Sequence, residues 1–358
     1  MITGYPPEVA PVRPGEDLDW AAAERYLREH VDGLGPLVNV LQFPNGSANL
    51  TYLLEFQDRK LVLRRPPFGH IAVGAHDMKR EYRTLSRLWQ QFDKAPRAYV
   101  FCDDHRIVGA DFLVSEYRPG QVIWGRVPPA MAHHRDLGRR VGFAVVDALA
   151  ELHLVDPGSC DLSDLGRPEG FVERQVSGWR KRWVASASAI ESDVPLMDEV
   201  AERLTASMPL SRRVSILHND YKVDNCQFDP KDPDRVKSIF DWDMATLGDP
   251  LVDLGTLLNY WPDPSDPPDN RPICPEGLES FGLPTRAEVV DRYASRTGAV
   301  VGDIPWYEGF ACWKTAVVVQ QLYARYVLGE TTDERQAGKG EWVEALARRA
   351  AGILDRTE

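Results

Sequence analysis

A chain of 358 residues, 43% of them hydrophobic, exceeds one typical domain and can bury a large core. Its net charge of −12 argues against nucleic acid or an anionic membrane as a partner. No stretch approaches the roughly 18 apolar residues of a spanning helix, and the N-terminal Met-Ile-Thr-Gly-Tyr-Pro-Pro lacks the basic-then-apolar pattern of a secretion signal. Five scattered cysteines, with no Cys-x-x-Cys pair, argue against a disulfide framework or a zinc site. A reducing, cytoplasmic compartment is expected.

Residues 1–15 are proline-rich and read as an extended arm. Leu18, Ala22, Tyr26 and Leu27 have helical spacing over 18–31, with Asp17 or Asp19 available as a cap. Strands are expected over 37–43 and 50–56, joined by Pro44-Asn45-Gly46-Ser47-Ala48-Asn49. That link is either an ordinary Asn-Gly hairpin turn or a phosphate-covering loop whose backbone N–H groups face a nucleotide. The second reading makes Gly46, Ser47 and Asn49 nucleotide contacts. Residues 60–65 predict a third strand ending in two cations. Adjacent strand residues face opposite sides, and Arg65 is expected on the solvated one. Met78, Tyr82, Leu85, Leu88 and Trp89 form an apolar stripe over 75–92, with Glu81 beside it. Strands over 98–101 and 112–117 complete the strand-rich part, which ends at Glu116-Tyr117-Arg118-Pro119-Gly120.

The remainder is mainly helical, with candidates at 135–155, 171–188, 197–207, 251–261, 286–297, 306–328 and 340–353. His153 reads as a packed histidine and Cys226 as a small buried residue. A proline-rich loop over 261–275 is expected near a substrate cleft. Val214, Ile216 and Leu217 run into His218-Asn219-Asp220-Tyr221-Lys222-Val223-Asp224-Asn225, so this segment reads as a loop leaving a buried strand. Val236, Ile239 and Phe240 then deliver Asp241 to the end of another strand. Taken singly, Asp220 would be a turn or cap residue, Asn225 a loop residue and Asp241 a strand end. Together they suit phosphoryl transfer. One carboxylate orients a substrate hydroxyl, while an amide oxygen and a second carboxylate hold Mg²⁺ against nucleotide phosphates.

These segments resemble the aminoglycoside phosphotransferase family, a branch of the protein-kinase-like fold. His218, Asp220 and Asn225 match its His-x-Asp-x-x-x-x-Asn, and Phe240-Asp241-Trp242 matches its Ile-Asp-Trp segment. Gly248, Asp249, Pro250, Asp253 and Leu254 match Gly-Asp-Pro-x-x-Asp-Leu. The resemblance implies a two-lobed α+β fold, with a sheet-bearing N-terminal lobe over 1–117 and a helical lobe over 118–358. It implies ATP or GTP and Mg²⁺ as cofactors, with Asp220 as catalytic base and Asn225 and Asp241 as metal ligands. Asp253 would brace the catalytic loop, and His218 would be structural. The family places a phosphate-binding Lys on the third strand; Arg64 stands there, with Glu81 as its implied partner. Position alone makes Glu116 and Tyr117 the hinge that would hold the adenine.

Residues 171–183 resemble one subgroup, the phosphotransferase domains fused to acyl-CoA dehydrogenases, and this likeness runs over roughly 30–355. It implies a small-molecule hydroxyl acceptor, with a hydroxyacyl-CoA as one such molecule. Gln175, Trp179 and Trp183 share a helix face, and Arg180, Lys181 and Arg182 concentrate positive charge. Trp179, Arg180 and Arg182 are therefore candidate substrate contacts, although a packed Trp pair with solvated cations fits the same pattern. Two other readings remain open: an antibiotic kinase acting on aminoglycosides, and a catalytically silent nucleotide-binding scaffold, which Arg64 in place of Lys would permit.

Overall fold

Period-two alternation over residues 37–65 produces three antiparallel strands, and two more complete a sheet. The computed structural model describes residues 8–44, 49–68, 77–267, 272–331 and 333–357. Its contacts form two compact units. One holds the described residues up to 120, together with 159–162 and 237–245; the other holds the rest.

The first unit contains α1 (Trp20–His30), β1 (Leu37–Gln42), β2 (Leu50–Phe56), β3 (Lys60–Arg65), α2 (Met78–Leu88), β4 (Ala98–Cys102), α3 (His105–Val108) and β5 (Phe112–Glu116). The sheet order is β1-β2-β3-β5-β4. Asp19 caps α1 and Asp77 caps α2, each accepting a backbone N–H of the first turn. Tyr52 pairs with Leu63 and Leu54 with Leu61. These side chains join Ala23 and Leu27 of α1 in one buried cluster. Each buried leucine contributes roughly 2 kcal/mol, and slipping the register by one residue would turn the whole set outward.

That register corrects the expectation for Arg65. Leu61, Leu63 and Arg65 share the core face of β3, so Arg65 extends a buried row and is only 2% exposed. Its guanidinium donates to the carbonyls of Pro66 (2.9 Å) and Val108 (2.7 Å) and stacks on Phe68. Arg64 lies on the opposite face of the strand.

The second unit contains β6 (Gln121–Val122), α4 (Leu137–Leu154), α5 (Phe171–Ala189), α6 (Pro195–Ala206), β7 (Ser215–Leu217), β8 (Cys226–Asp229), β9 (Asp232–Ile239), β10 (Thr246–Gly248), α7 (Leu251–Asn259), α8 (Arg286–Thr297), α9 (Ile304–Val327) and α10 (Gly340–Leu354). The last residues of β9 group with the first unit. Helix α9 is buried almost all round, as its nearly continuous apolar sequence requires. It packs against α5, α6, α7 and α10. The α7–α9 approach is close: a Cβ on Gly255 would lie 2.5 Å from the Tyr307 carbonyl group. Thr285 and Glu288 form a reciprocal capping box at the start of α8.

All five cysteines are free. Cys102, Cys160, Cys226 and Cys312 are buried and Cys274 is partly buried. Burial pushes the thiol of Cys226 up to about 12 and that of Cys274 up to about 11. No helix among the described residues is long and apolar enough to cross a membrane.

Candidate active site

The first unit contributes a cation held between two carboxylates. Alternation on β3 turns Arg64 toward α2, where Glu81 lies one turn into the helix and is 3% exposed. Arg64 Nη1 donates to Glu81 Oε1 at 2.6 Å, and Nη2 donates to Asp241 Oδ1. A lysine could supply the charge but not this fork. Burial works against the Arg64 charge, yet Asp241 and Glu81 outweigh it and raise its pKa. Burial, with Asp241 nearby, also pushes the Glu81 carboxyl up. Asp241 has φ +70°, left-handed for a non-glycine residue. Its neighbour Trp242 is fully buried and donates its indole N–H to the Ile239 carbonyl at 2.8 Å, which anchors the turn.

The other candidates in this unit are less uniform. Gly46 and Ser47 lie outside the described residues; Asn49 is buried at the entry to β2. At the end of β5, the Glu116 N–H is already taken by the Arg97 carbonyl at 2.8 Å, and its carboxylate accepts from Arg118 at 3.0 Å. The ring of Tyr117 lies 5.9 Å from Lys60 Nζ.

The second unit builds a tightly braced loop. Leaving β7, His218 is fully buried. The backbone N–H groups of His218 and Asn219 donate to the two oxygens of Asp253, each at 2.7 Å. Asp253 sits on α7 and is itself fully buried, with His153 Nε2 at 3.3 Å. His153 Nδ1 lies 2.7 Å from the Tyr293 hydroxyl. Burial opposes the Asp253 charge, but the His153 contact and the donated N–H groups hold its carboxyl below the usual range. Asp253 thus braces the loop, and His153 is a packed histidine.

Asp220 follows Asn219, whose φ is +69°. The Asp220 N–H donates to His218 Nδ1 at 3.3 Å. Lys222 Nζ donates to Asp220 Oδ2 at 2.8 Å and lies 5.5 Å from the Tyr260 ring centroid. Burial disfavours the Lys222 charge, but Asp220 and Asp224 outweigh it and raise its pKa. In the short 3-10 turn Val223–Asn225, the Asn225 amide N–H₂ donates to the Asp220 carbonyl at 2.8 Å and to its carboxylate at 3.3 Å. That commitment turns the amide oxygen of Asn225 away from Asp220, and an amide oxygen is a donor of the kind a hard cation takes. Among the described residues there is no cluster of three or more His, Cys, Asp or Glu that could hold a metal.

In helix α5 the two tryptophans take the packed alternative. Trp179 and Trp183 are 7% and 2% exposed because their shared face packs inward. Trp179 donates to Gln175 at 3.1 Å, and its ring lies against Arg182 (4.5 Å) and Lys314 (5.5 Å). Arg180, two residues from Arg182, points to another side of the helix and reaches Glu202 at 3.5 Å. No flat face of Trp179 is left open for a stacking base. Sequence reasoning missed Lys222 and Lys314. Lys222 lies inside the recognised motif, and Lys314 is a cation within the largely apolar α9; both were visible signals.

A model of the phosphotransferase enzyme family matches residues 39–289. Acyl-CoA dehydrogenase family member 11 of Homo sapiens is 28% identical, an alignment covering 98% of this chain and 45% of that protein. The chain therefore spans less than half the length of that relative. A crystal structure described as a candidate aminoglycoside phosphotransferase from Ralstonia eutropha JMP134 is 28% identical, with a TM-score of 0.78 over 96% of this chain and 100% of that one. A mutant of aminoglycoside phosphotransferase APH(4)-Ia, in a ternary complex with ADP and hygromycin B, has a TM-score of 0.58 at 14% identity over 93% of this chain and 98% of that one, a likeness of fold. The mixed α/β architecture, an antiparallel sheet with a helical part, is the kinase-like fold of these proteins.

Proposed function

The chain belongs to the phosphotransferase enzyme family, and from that premise we propose that it moves the γ-phosphoryl group of ATP or GTP to a hydroxyl of a small molecule. Asp220 carries this reading. It is a partly exposed carboxylate whose backbone N–H is held by buried His218, whose carbonyl is held by Asn225, and whose side chain is held by Lys222 and Asn225. Such preorganisation is what phosphoryl transfer asks of a protein.

In this reading Asp220 accepts the proton of the acceptor hydroxyl as its oxygen bonds to the γ-phosphorus. The bond from that phosphorus to the β,γ-bridging oxygen breaks, giving a phosphate monoester and a nucleoside diphosphate. Lys222 holds the Asp220 side chain in one orientation before the acceptor arrives. Asn225 and Asp241 are the proposed protein ligands of Mg²⁺, which when bound would neutralise charge on the phosphoryl oxygens. Arg64, with Glu81 as its partner, is proposed to serve the nucleotide phosphates, and Tyr117 the base.

For the acceptor we favour a hydroxyacyl-CoA over an aminoglycoside. The support is the likeness to a relative named for acyl-CoA chemistry and the cations Lys222 and Arg182, whose fields suit an anionic acceptor better than a polycation. The test is nucleotide-dependent phosphorylation of hydroxyacyl-CoA esters and kanamycin, with and without Mg²⁺, by wild type and Asp220→Asn. Asp220→Asn should keep Mg-nucleotide affinity and lose about 10²-fold or more in kcat. Near-wild-type turnover by that variant would remove Asp220 from the role of base. Efficient kanamycin phosphorylation, with no activity on any acyl-CoA, would overturn the acceptor assignment.

A further inference from the structure

Lys314 is a buried charge that the proposed chemistry does not use. It lies in the middle of α9, is 8% exposed, and among the described residues has no carboxylate within ion-pair distance. A buried ammonium without an ion-pair partner is costly. Burial pulls its pKa below the usual lysine range, although Asp220 and Asp253 act the other way. Such a group needs a reason to be there, and its contacts supply one.

Nζ of Lys314 donates to the backbone carbonyl of Asn219 at 3.1 Å and to its Oδ1 at 3.3 Å, with the Trp179 ring on another side. The Asn219 carbonyl and the Asp220 N–H belong to one peptide plane. Its carbonyl end is held by Lys314 and its N–H end by His218. On the other side of Asn219, its own N–H is held by Asp253. Asn219 is therefore gripped from both directions in a left-handed conformation that a free loop would abandon. The rotation of the plane between residues 219 and 220 sets the direction in which the Asp220 side chain leaves the backbone.

We propose that Lys314 is a positioning residue for phosphoryl transfer, fixing the Asn219–Asp220 peptide so that the Asp220 carboxylate is aimed at the acceptor hydroxyl. The proposal rests on the function assigned to Asp220 above. Its contact is with the peptide group, so its loss should cost turnover and leave substrate affinity alone.

Two readouts on the full chain test it, using Lys314→Met and Lys314→Gln. Hydrogen–deuterium exchange is followed in the peptide covering 218–225. Loss of a charge-assisted hold should speed exchange there about tenfold or more in the Met variant. Exchange in β2 and β3 should stay unchanged. In steady-state kinetics with MgATP and a hydroxyacyl-CoA, kcat should fall about tenfold or more while both KM values stay within about twofold. Gln restores amide donors without the charge, so it should recover part of both effects, and it carries the test if the Met variant does not fold. Unchanged loop exchange in the folded variants would overturn the proposal. So would faster loop exchange with wild-type kcat, or a rise in acceptor KM that accounts for the whole loss. If wild type shows no phosphorylation of any acceptor, the function assigned to Asp220 fails, whereas the exchange result still decides whether Lys314 holds the loop.

Discussion

Arg64 and Arg65 are neighbours in sequence and opposites in role. Arg64 bridges Glu81 and Asp241, while Arg65 is spent inside the sheet unit on two carbonyls and an aromatic ring. Arg65→Ala should destabilise the fold by about 2 kcal/mol, the scale of losing charged hydrogen bonds to carbonyls left buried. The folded fraction should keep its KM for ATP. Arg64→Ala should instead raise that KM and lower kcat. Urea unfolding combined with initial-rate kinetics separates the two, and a larger KM effect at position 65 than at 64 would reverse the assignment. The sequence made Asp220, Asn225, Asp241 and Arg64 legible as candidates, because each sits in a short motif or at a strand end. It did not reveal who holds them. Lys314 reaches Asn219 across 95 positions of chain, and no local period encodes such a contact.

Among elements, β2, β3 and α8 have the bounds their sequence patterns predict, 50–56, 60–65 and 286–297. Each has a full period of alternation or a clear cap. The elements that sequence missed are short: α3, β6, β8 and β10 span two to four residues each. Over such lengths neither a helical nor a strand period can repeat, and tertiary pairing decides the conformation. Close packing was also invisible. Gly255 reads as a weak point in α7, yet it is where α7 meets the backbone of α9. Backbone cannot rotate away as a side chain can. Gly255→Ala should therefore destabilise by about 3 kcal/mol despite its better helix propensity. It should also disturb Asp253, two residues earlier on the same helix. Thermal unfolding checks the first point, and hydrogen exchange at His218 and Asn219 the second. A stabilised Gly255→Ala would mean that α7 and α9 can separate without cost.

For the molecule as a whole, nothing local in residues 237–245 announces that they group with residues up to 120. The scattered cysteines, without a Cys-x-x-Cys pair, led to the expectation of neither a disulfide framework nor a zinc site. Their burial gives that observation a practical outcome. Four thiols are buried; Cys274 alone is partly accessible, and its raised pKa makes it a slow nucleophile. Titration of the native protein with a thiol reagent near neutral pH should modify about one group per chain, slowly, against all five in denaturant. Rapid modification of several thiols would mean that the core opens readily. Given the expected stoichiometry, the unaltered protein already offers a single attachment point for a fluorophore, near the end of the proline-rich segment 261–275. Ligand-induced change in that segment could then be followed in real time without engineering any residue.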